Sequence, residues 1–98
     1  MKVVAIGNRA FVAGLRLAGV DGVRTASSDD TFKEITRLLQ EKDVGLILVS
    51  DDVARDIRDR LTAIRAKKPV PLIFEVPAPG SKGERVEYRD LLKQILGV

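Results

Sequence analysis

The feature that most constrains the fold is an alternation between short β-rich apolar runs and longer amphipathic stretches. The apolar runs lie at residues 3–6, 44–49 and 72–76, and a weaker one spans residues 22–26. The run at 44–49 is the most apolar part of the chain, which is typical of a central parallel strand buried on both faces. Strands and helices that alternate in this way predict a parallel sheet with right-handed crossovers and helices on both faces.

Each stretch between two strands carries apolar residues at helical spacing. The first helix is predicted to start at Arg9 and to close at Gly19, since glycine is common just after helix ends. The second follows the polar residues 27–30, which offer several capping oxygens. The third is predicted as one continuous helix that Ser50 caps, with a core stripe of Val53, Ile57, Leu61 and Ile64.

The predicted strand order is second-first-third-fourth, which gives a Rossmann-like, flavodoxin-like α/β domain over residues 1–76. Residues 77–87 are predicted to form a flexible linker, with hinge positions at Pro77, Pro79, Gly80 and Gly83. Residues 88–98 are predicted to form a linked C-terminal helix. The residues alone leave two roles open for this helix: it closes its own sheet, or it packs on another protein.

The composition argues against most kinds of catalytic site. The 98 residues include no cysteine and no histidine, which removes the commonest general base and the commonest metal ligands. The segment from Gly7 to Gly14 has neither the glycine spacing of a dinucleotide site nor the lysine of a phosphate loop. We therefore expect no catalytic residues, no metal and no cofactor.

The charge pattern indicates no nucleic-acid or membrane partner. The net charge is +3, and the 17 basic and 14 acidic residues are interspersed. Binding of nucleic acid usually needs a basic stripe or aromatic side chains for base stacking, and the chain has three Phe and one Tyr. No apolar run approaches the length of a membrane span, and the N-terminus lacks a signal-peptide pattern, so we expect an intracellular location.

The end of the third strand suggests two alternative functions. Asp51 and Asp52 occupy the place where a response-regulator receiver carries its phosphoacceptor, although Gly7-Asn8 replaces the acidic pair and a fifth strand is missing. The segment 49–53 also resembles the kink-turn RNA-binding ribosomal protein family, which begins with a helix and not with a strand. Both a receiver-like and a stand-alone RNA-binding module stay open, against the simpler interpretation of these residues as helix-capping groups.

The most specific pattern lies near the N-terminus. Ile6-Gly7-Asn8, then Phe11, then the segment from Gly14 to Gly19, with sequence GLRLAG, resembles the opening of the F subunit of the A/V-type ATPases. That family typically has Ile-Gly, Phe and Gly-Phe-Arg-Leu-Ala-Gly, so Leu15 is a departure. Weaker similarity at 44–49, 71–77 and 92–98 extends the resemblance over the chain, and relatives often carry a few more residues at the C-terminus.

The resemblance implies a non-catalytic rotor subunit on the central stalk of a rotary ATPase or ATP synthase, which couples ATP synthesis or hydrolysis to ion translocation. Its partners would be the coiled-coil D subunit of the stalk, the catalytic A and B subunits through the C-terminal helix, and the C subunit at the stalk base. The complex would hold it peripherally on the cytoplasmic side of the cell membrane. We expect partner-binding residues at Asn8, Arg9, Phe11, Arg16, Tyr88, Leu91, Leu92, Ile95 and Leu96.

Overall fold

A computed structural model describes residues 2–68, 70–78 and 88–97 of the chain. The strands are β1 (Lys2–Gly7), β2 (Asp21–Arg24), β3 (Val44–Ser50) and β4 (Leu72–Val76). The helices are α1 (Arg9–Leu17), α2 (Ser28–Leu38), α3 (Asp51–Ala54), α4 (Arg58–Lys67) and α5 (Tyr88–Leu96), and a 3-10 turn at Arg55–Ile57 separates α3 from α4.

The strands form one parallel sheet in the order β2-β1-β3-β4. This order is the predicted one, and the α/β fold class is confirmed. β3 is a central strand whose residues from Leu46 to Val49 are all buried. Ile47 pairs with Val4 on one side and with Ile73 on the other. The long apolar run therefore has the physical cause that the sequence indicated, namely burial on both faces of the sheet.

Two separate hydrophobic clusters lie on the two faces of the sheet. The α2/α4 cluster joins Ile35 of α2 and Leu61 of α4 to Ile47. The α1/α5 cluster joins α1 and α5 to the other face, through buried residues that include Phe11, Leu15, Leu48, Val76 and Tyr88. Burial of one such side chain contributes about 1.5–3 kcal/mol, so each cluster stabilises the face of the sheet on which it lies.

The first two helices begin with polar caps, of which the sequence predicted only the second. The Oδ1 atom of Asn8 accepts a hydrogen bond of 2.9 Å from the backbone N–H of Phe11, and this bond caps α1. Ser27 caps α2 in the same way, with a bond of 3.1 Å from the N–H of Asp30. Gly19 follows α1 with φ of +89°, a conformation that glycine adopts without strain.

The third predicted helix was wrong in its continuity and in its cap. The 3-10 turn interrupts it, and Ser28 Oγ donates a 3.1 Å bond to the carbonyl of Val53, the oxygen that Ile57 would use in a continuous helix. Ser50 makes no capping bond. Its hydroxyl is hydrogen-bonded instead to the carboxylate of Asp52, which itself accepts from the N–H of Val53 at 2.9 Å.

The core stripe predicted for this helix survives the interruption, because Ile57 and Leu61 are buried and Val53 and Ile64 pack against the same cluster. The second strand also differs slightly from the prediction. It spans Asp21–Arg24 and ends before Thr25, although the N–H of Thr25 still donates to the carbonyl of Gly7 at 2.8 Å.

Candidate partner interface

Helix α5 packs against its own domain, and Tyr88 is its main anchor. The Tyr88 ring meets the ring of Phe11 edge to face, with centroids 5.7 Å apart and an interplanar angle of 83°. Aromatic pairs in this arrangement stabilise by about 0.5–1.5 kcal/mol beyond their buried area. The phenol also donates a 2.9 Å hydrogen bond to the carbonyl of Pro77. One side chain thus ties α5 both to α1 and to the end of β4.

Gly14 provides the space into which the Tyr88 ring fits. A Cβ atom built on Gly14 would lie 2.7 Å from Cε2 and 3.0 Å from Cδ2 of Tyr88, too close for any real methyl group. Glycine within a helix costs roughly 0.5–1 kcal/mol relative to alanine. The close approach of α5 therefore gives a physical reason for this glycine of the GLRLAG segment.

The rest of α5 contributes a short apolar stripe to the same contact. Leu92 and Ile95 are partly buried and pack against the α1/α5 cluster. They follow Tyr88 at positions i+4 and i+7, which lie on one face of a helix. Leu91 and Leu96 belong to α5, but their side chains lie outside the described part of the structure. Tyr88, Leu92 and Ile95, which were expected to bind a partner, thus pack against their own sheet in this structure, as in the alternative in which the helix closes its own sheet.

The first residues of the predicted linker are held in place. The carboxylate of Asp51 accepts a 3.1 Å hydrogen bond from the N–H of Ala78, which is itself buried. Pro77 has an exposed ring, but Tyr88 binds its carbonyl. The hinge positions Pro79, Gly80 and Gly83 lie outside the described residues.

The carboxyl ends of β1 and β3 meet in a small polar cluster. The Oδ1 atom of Asp52 bonds Ser50 and the N–H of Val53, and its Oδ2 atom accepts a long bond of 3.4 Å from the side-chain amide of Asn8. Asp51 is engaged with Ala78 as described above. Both aspartates thus stabilise local structure, and among residues 2–68, 70–78 and 88–97 no group of three or more acidic side chains could hold a metal ion.

The environment of Tyr88 keeps its phenol protonated. Burial, together with the negative charges of Asp51 and Asp52, raises the pKa of Tyr88 to about 12. A tyrosine hydroxyl can donate a hydrogen bond only while it carries its proton. The bond to Pro77 therefore persists throughout the neutral pH range.

Other predicted partner residues lie on or beside α1, in different environments. Arg9 and Arg16 are exposed, and Arg16 sits in the last turn, where a cation favours the helix dipole. Asn8 is partly buried and serves as the cap. Phe11 is fully buried under Tyr88, so its ring offers no surface to a partner while α5 is docked. The roles of these residues in partner binding stay predictions.

Sequence reasoning did not address the exposure of β4. It identified the run LIFEV only as a fourth strand, and in the structure Leu72 is 53% and Phe74 is 39% exposed. The available signal was the predicted strand order, which already placed the fourth strand at an edge. Residues missed elsewhere are Gly14, which makes room for Tyr88, and Asp51, whose bond to Ala78 joins two segments distant in sequence.

No helix in the described ranges has the length and apolarity needed to cross a membrane.

Comparison with known proteins gives a family match over most of the chain. The family model described as ATP synthase (F/14-kDa) subunit matches residues 3–95.

Similar curated relatives are F subunits of A-type ATP synthases. The relative from Thermococcus sibiricus is 32% identical, and the match covers 100% of this chain and 96% of the relative. The relative from Methanocaldococcus jannaschii is 30% identical, and the match covers 100% of this chain and 97% of the relative. The relative from Methanococcoides burtonii is 29% identical, and the match covers 100% of this chain and 96% of the relative.

Proposed function

The chain belongs to the ATP synthase (F/14-kDa) subunit family, and from this premise we propose that it is a non-catalytic rotor subunit on the central stalk. The observation that carries the proposal is the family match over residues 3–95. The complex would be an A/V-type rotary ATPase or ATP synthase, in which this chain would help to couple ATP synthesis or hydrolysis to ion translocation. Its place would be peripheral, on the cytoplasmic side of the cell membrane.

The packing of the domain supports a mechanical role. A rotor adapter must transmit torque without deforming, and close-packed interiors have low compressibility. The central strand β3 is buried between two helical layers, so a load on either layer reaches the whole sheet. The polar groups of Asp51 and Asp52, the best candidates for chemistry in the sequence, are engaged in structural hydrogen bonds. This engagement of both aspartates in structural bonds argues against the receiver-like alternative.

The proposed partners follow the family. The coiled-coil D subunit would contact the domain, with Arg9 and Arg16 of α1 available for acidic side chains. The C subunit would meet the base of the stalk. Residues 88–98 would act as a mobile element that leaves the domain and reaches the catalytic A and B subunits, with residues 77–87 as the linker. Release of α5 would require the bond from Tyr88 to the carbonyl of Pro77 to break, whereas the bond from Ala78 to Asp51 does not involve α5.

The proposal is tested by assembly from purified components. We expect the chain to form a stable complex with the recombinant D subunit, and to show no ATP hydrolysis by itself. Arg16→Ala should weaken that complex, while hydrolysis by isolated hexamers of the A and B subunits stays unchanged. A chain that hydrolyses ATP after removal of contaminating ATPases, or that binds neither the D subunit nor the hexamer, would contradict the proposed function.

A further inference from the structure

An uncovered apolar row runs along the edge strand β4, and we propose that it docks an amphipathic helix with acidic flanks, supplied by another subunit of the complex. The inference rests on the proposed function, because it assumes assembly with partner subunits. The row consists of Leu72 and Phe74, which are 53% and 39% exposed and line the same groove. Val70, which is 66% exposed, lies just before the strand. Single exposed apolar side chains are normal, but a contiguous patch marks an interaction surface.

The row belongs to the face of the sheet that α1 and α5 cover. Leu72 and Phe74 alternate along β4 with Ile73, which packs in the α2/α4 cluster on the opposite face. They point to the same side as Val76, which is buried with Tyr88 in the α1/α5 cluster. The helical layer thus covers the carboxyl end of β4 and leaves the earlier part exposed. An additional helix beside α5 would complete the layer.

The edge of β4 is unsuited to an added strand. The Nε and Nη2 atoms of Arg65 donate to the carbonyl of Ile73 at 3.2 and 2.8 Å. Pro71, just before the strand, has no N–H to offer. A partner strand would need a continuous run of free backbone N–H and C=O groups at this edge. Here the Ile73 carbonyl is already bonded to Arg65, and Pro71 has no N–H, so the run is interrupted. The surface therefore favours a partner that packs through its side chains.

The spacing of the row fits a helix. Leu72 and Phe74 are two residues apart in a strand, which places them about 6.6 Å apart. Apolar side chains on successive turns of a helix are about 5–6 Å apart. Two such residues, at positions i and i+4, would each meet one member of the row. We infer a partner helix with apolar residues at that spacing.

The rim of the row is basic, and this sets the charge of the partner. Arg65 and Lys68 line a shallow groove of about 440 Å³ together with Leu72 and Phe74. Arg65 bonds a neutral carbonyl, which leaves its positive charge uncompensated by that contact. Glu75 also lines the groove, but Arg58 pairs with it at 2.6 Å. Acidic residues beside the apolar positions of the helix would be attracted to this rim.

The first experiment locates the partner by photo-cross-linking. A cross-linking residue replaces Leu72 in the chain, which is then assembled with the purified D, A and B subunits. A matched control carries it at Thr36, an exposed position of α2 on the opposite face. We expect position 72 to link to a helical segment of another subunit with acidic residues beside its apolar positions. Links only to a second copy, to this chain itself or to nothing would overturn the inference.

The second experiment measures affinity. The double variant Leu72→Ser with Phe74→Ser should bind the D subunit or the hexamer at least about tenfold more weakly, while the isolated chain stays folded with a smaller loss of thermal stability than a core truncation causes. Lys68→Glu should also weaken binding, and this loss should shrink at high salt. Lys33→Glu, an equal charge change on exposed α2, is the control and should alter affinity less than about twofold.

The outcomes separate this inference from the proposed function. If the unaltered chain assembles and the double serine variant assembles equally tightly, the docking surface is wrong and the rotor assignment stands. Equal losses from Lys68→Glu and Lys33→Glu would likewise refute the basic rim as a recognition element. If the unaltered chain assembles with none of the three subunits, both proposals fail.

Discussion

The two faces of the sheet are covered in different ways. On one face, α2 and α4 pack over a continuous apolar cluster and are further linked to each other and to the sheet by polar contacts. Arg58 pairs with Glu75 at 2.6 Å, and the guanidinium of Arg60 lies 5.0 Å from the centre of the Phe32 ring. On the other face, Tyr88 is the main attachment of α5 and β4 is left half exposed.

This difference shows which helices are required for the domain to stay folded and which helix could leave the sheet. The α2/α4 face is built from helices that lie between strands in the chain, so neither can leave without breaking the domain. The α1/α5 face is completed by a helix that comes after the last strand. Its removal would uncover apolar surface without interrupting any strand. The predictions below test this contrast, from the largest expected effect to the smallest.

Leu61→Ala should cause the largest loss of stability. Leu61 is fully buried in the α2/α4 cluster, and such a truncation leaves a cavity that costs about 2–5 kcal/mol. Urea unfolding of the isolated chain measures this loss. Leu72→Ala, a truncation of the same residue type at an exposed site, is the control and should cost much less. Equal losses of unfolding free energy in the two variants would contradict the contrast between the buried α2/α4 cluster and the exposed part of β4.

Gly14→Ala should release α5 while leaving the opposite face intact. The new methyl group would overlap the Tyr88 ring, and overpacking of this kind costs about 1–3 kcal/mol. Hydrogen exchange should accelerate in residues 88–96 and stay unchanged in α2 and α4.

A second background sharpens the Gly14→Ala test. In a Tyr88→Ala chain the clash is gone, so the same change should stabilise by up to about 1 kcal/mol through helix propensity. A similar loss of stability in both backgrounds would show that Tyr88 does not occupy the space at Gly14.

Tyr88→Phe should cost about 0.5–1.5 kcal/mol, because it removes one hydrogen bond and keeps the ring. Folding raises the pKa of Tyr88 to about 12, above the ordinary value of 10.0. The contribution of the phenol is therefore fully present below pH 10 and is lost as the pH rises toward 12.

The chain has a single tyrosine, so the ultraviolet absorbance of tyrosinate reports this titration alone. The stability difference between the unaltered chain and Tyr88→Phe should narrow across the same alkaline range. A tyrosinate midpoint near the ordinary value of 10.0 in the folded chain would contradict the buried, protonated phenol.

Arg58→Ala should have the smallest effect on the free energy of unfolding, because the Arg58 side chain that pairs with Glu75 is largely exposed to solvent. The hydrogen bond from Arg58 lowers the pKa of Glu75 below its ordinary value of 4.5. The stabilisation by this ion pair is fully present above the pKa that Glu75 has in the unfolded chain. It disappears as the pH falls through the lower pKa that Glu75 has in the folded chain. Acid unfolding of the two chains should converge at low pH, and Lys33→Ala on the exposed surface of α2 is the control.

Local patterns predicted the strands, most of the helices and the cap of the second helix, because each depends on residues close together in the chain. The strand order and the two-sided helical cover followed from the usual arrangement of alternating strands and helices. Features that depend on tertiary contacts escaped the sequence. The interruption of the third helix involves a bond from Ser28 to Val53, and the need for Gly14 arises from Tyr88. The sequence identified β4 only as a strand, because an apolar strand has the same pattern whether or not a helix covers Leu72 and Phe74.

The hydrogen bond between Asp51 and Ala78 has a mechanical consequence. Ala78 lies just beyond β4, at the point where the chain leaves the sheet toward α5. A pull on α5, transmitted back along the chain, acts on Ala78 before it acts on Val76. The bond carries that load into α3, which follows the central strand β3, and so diverts it from the ladder of the edge strand. The edge of the sheet is thereby protected from peeling when the terminal helix is under tension.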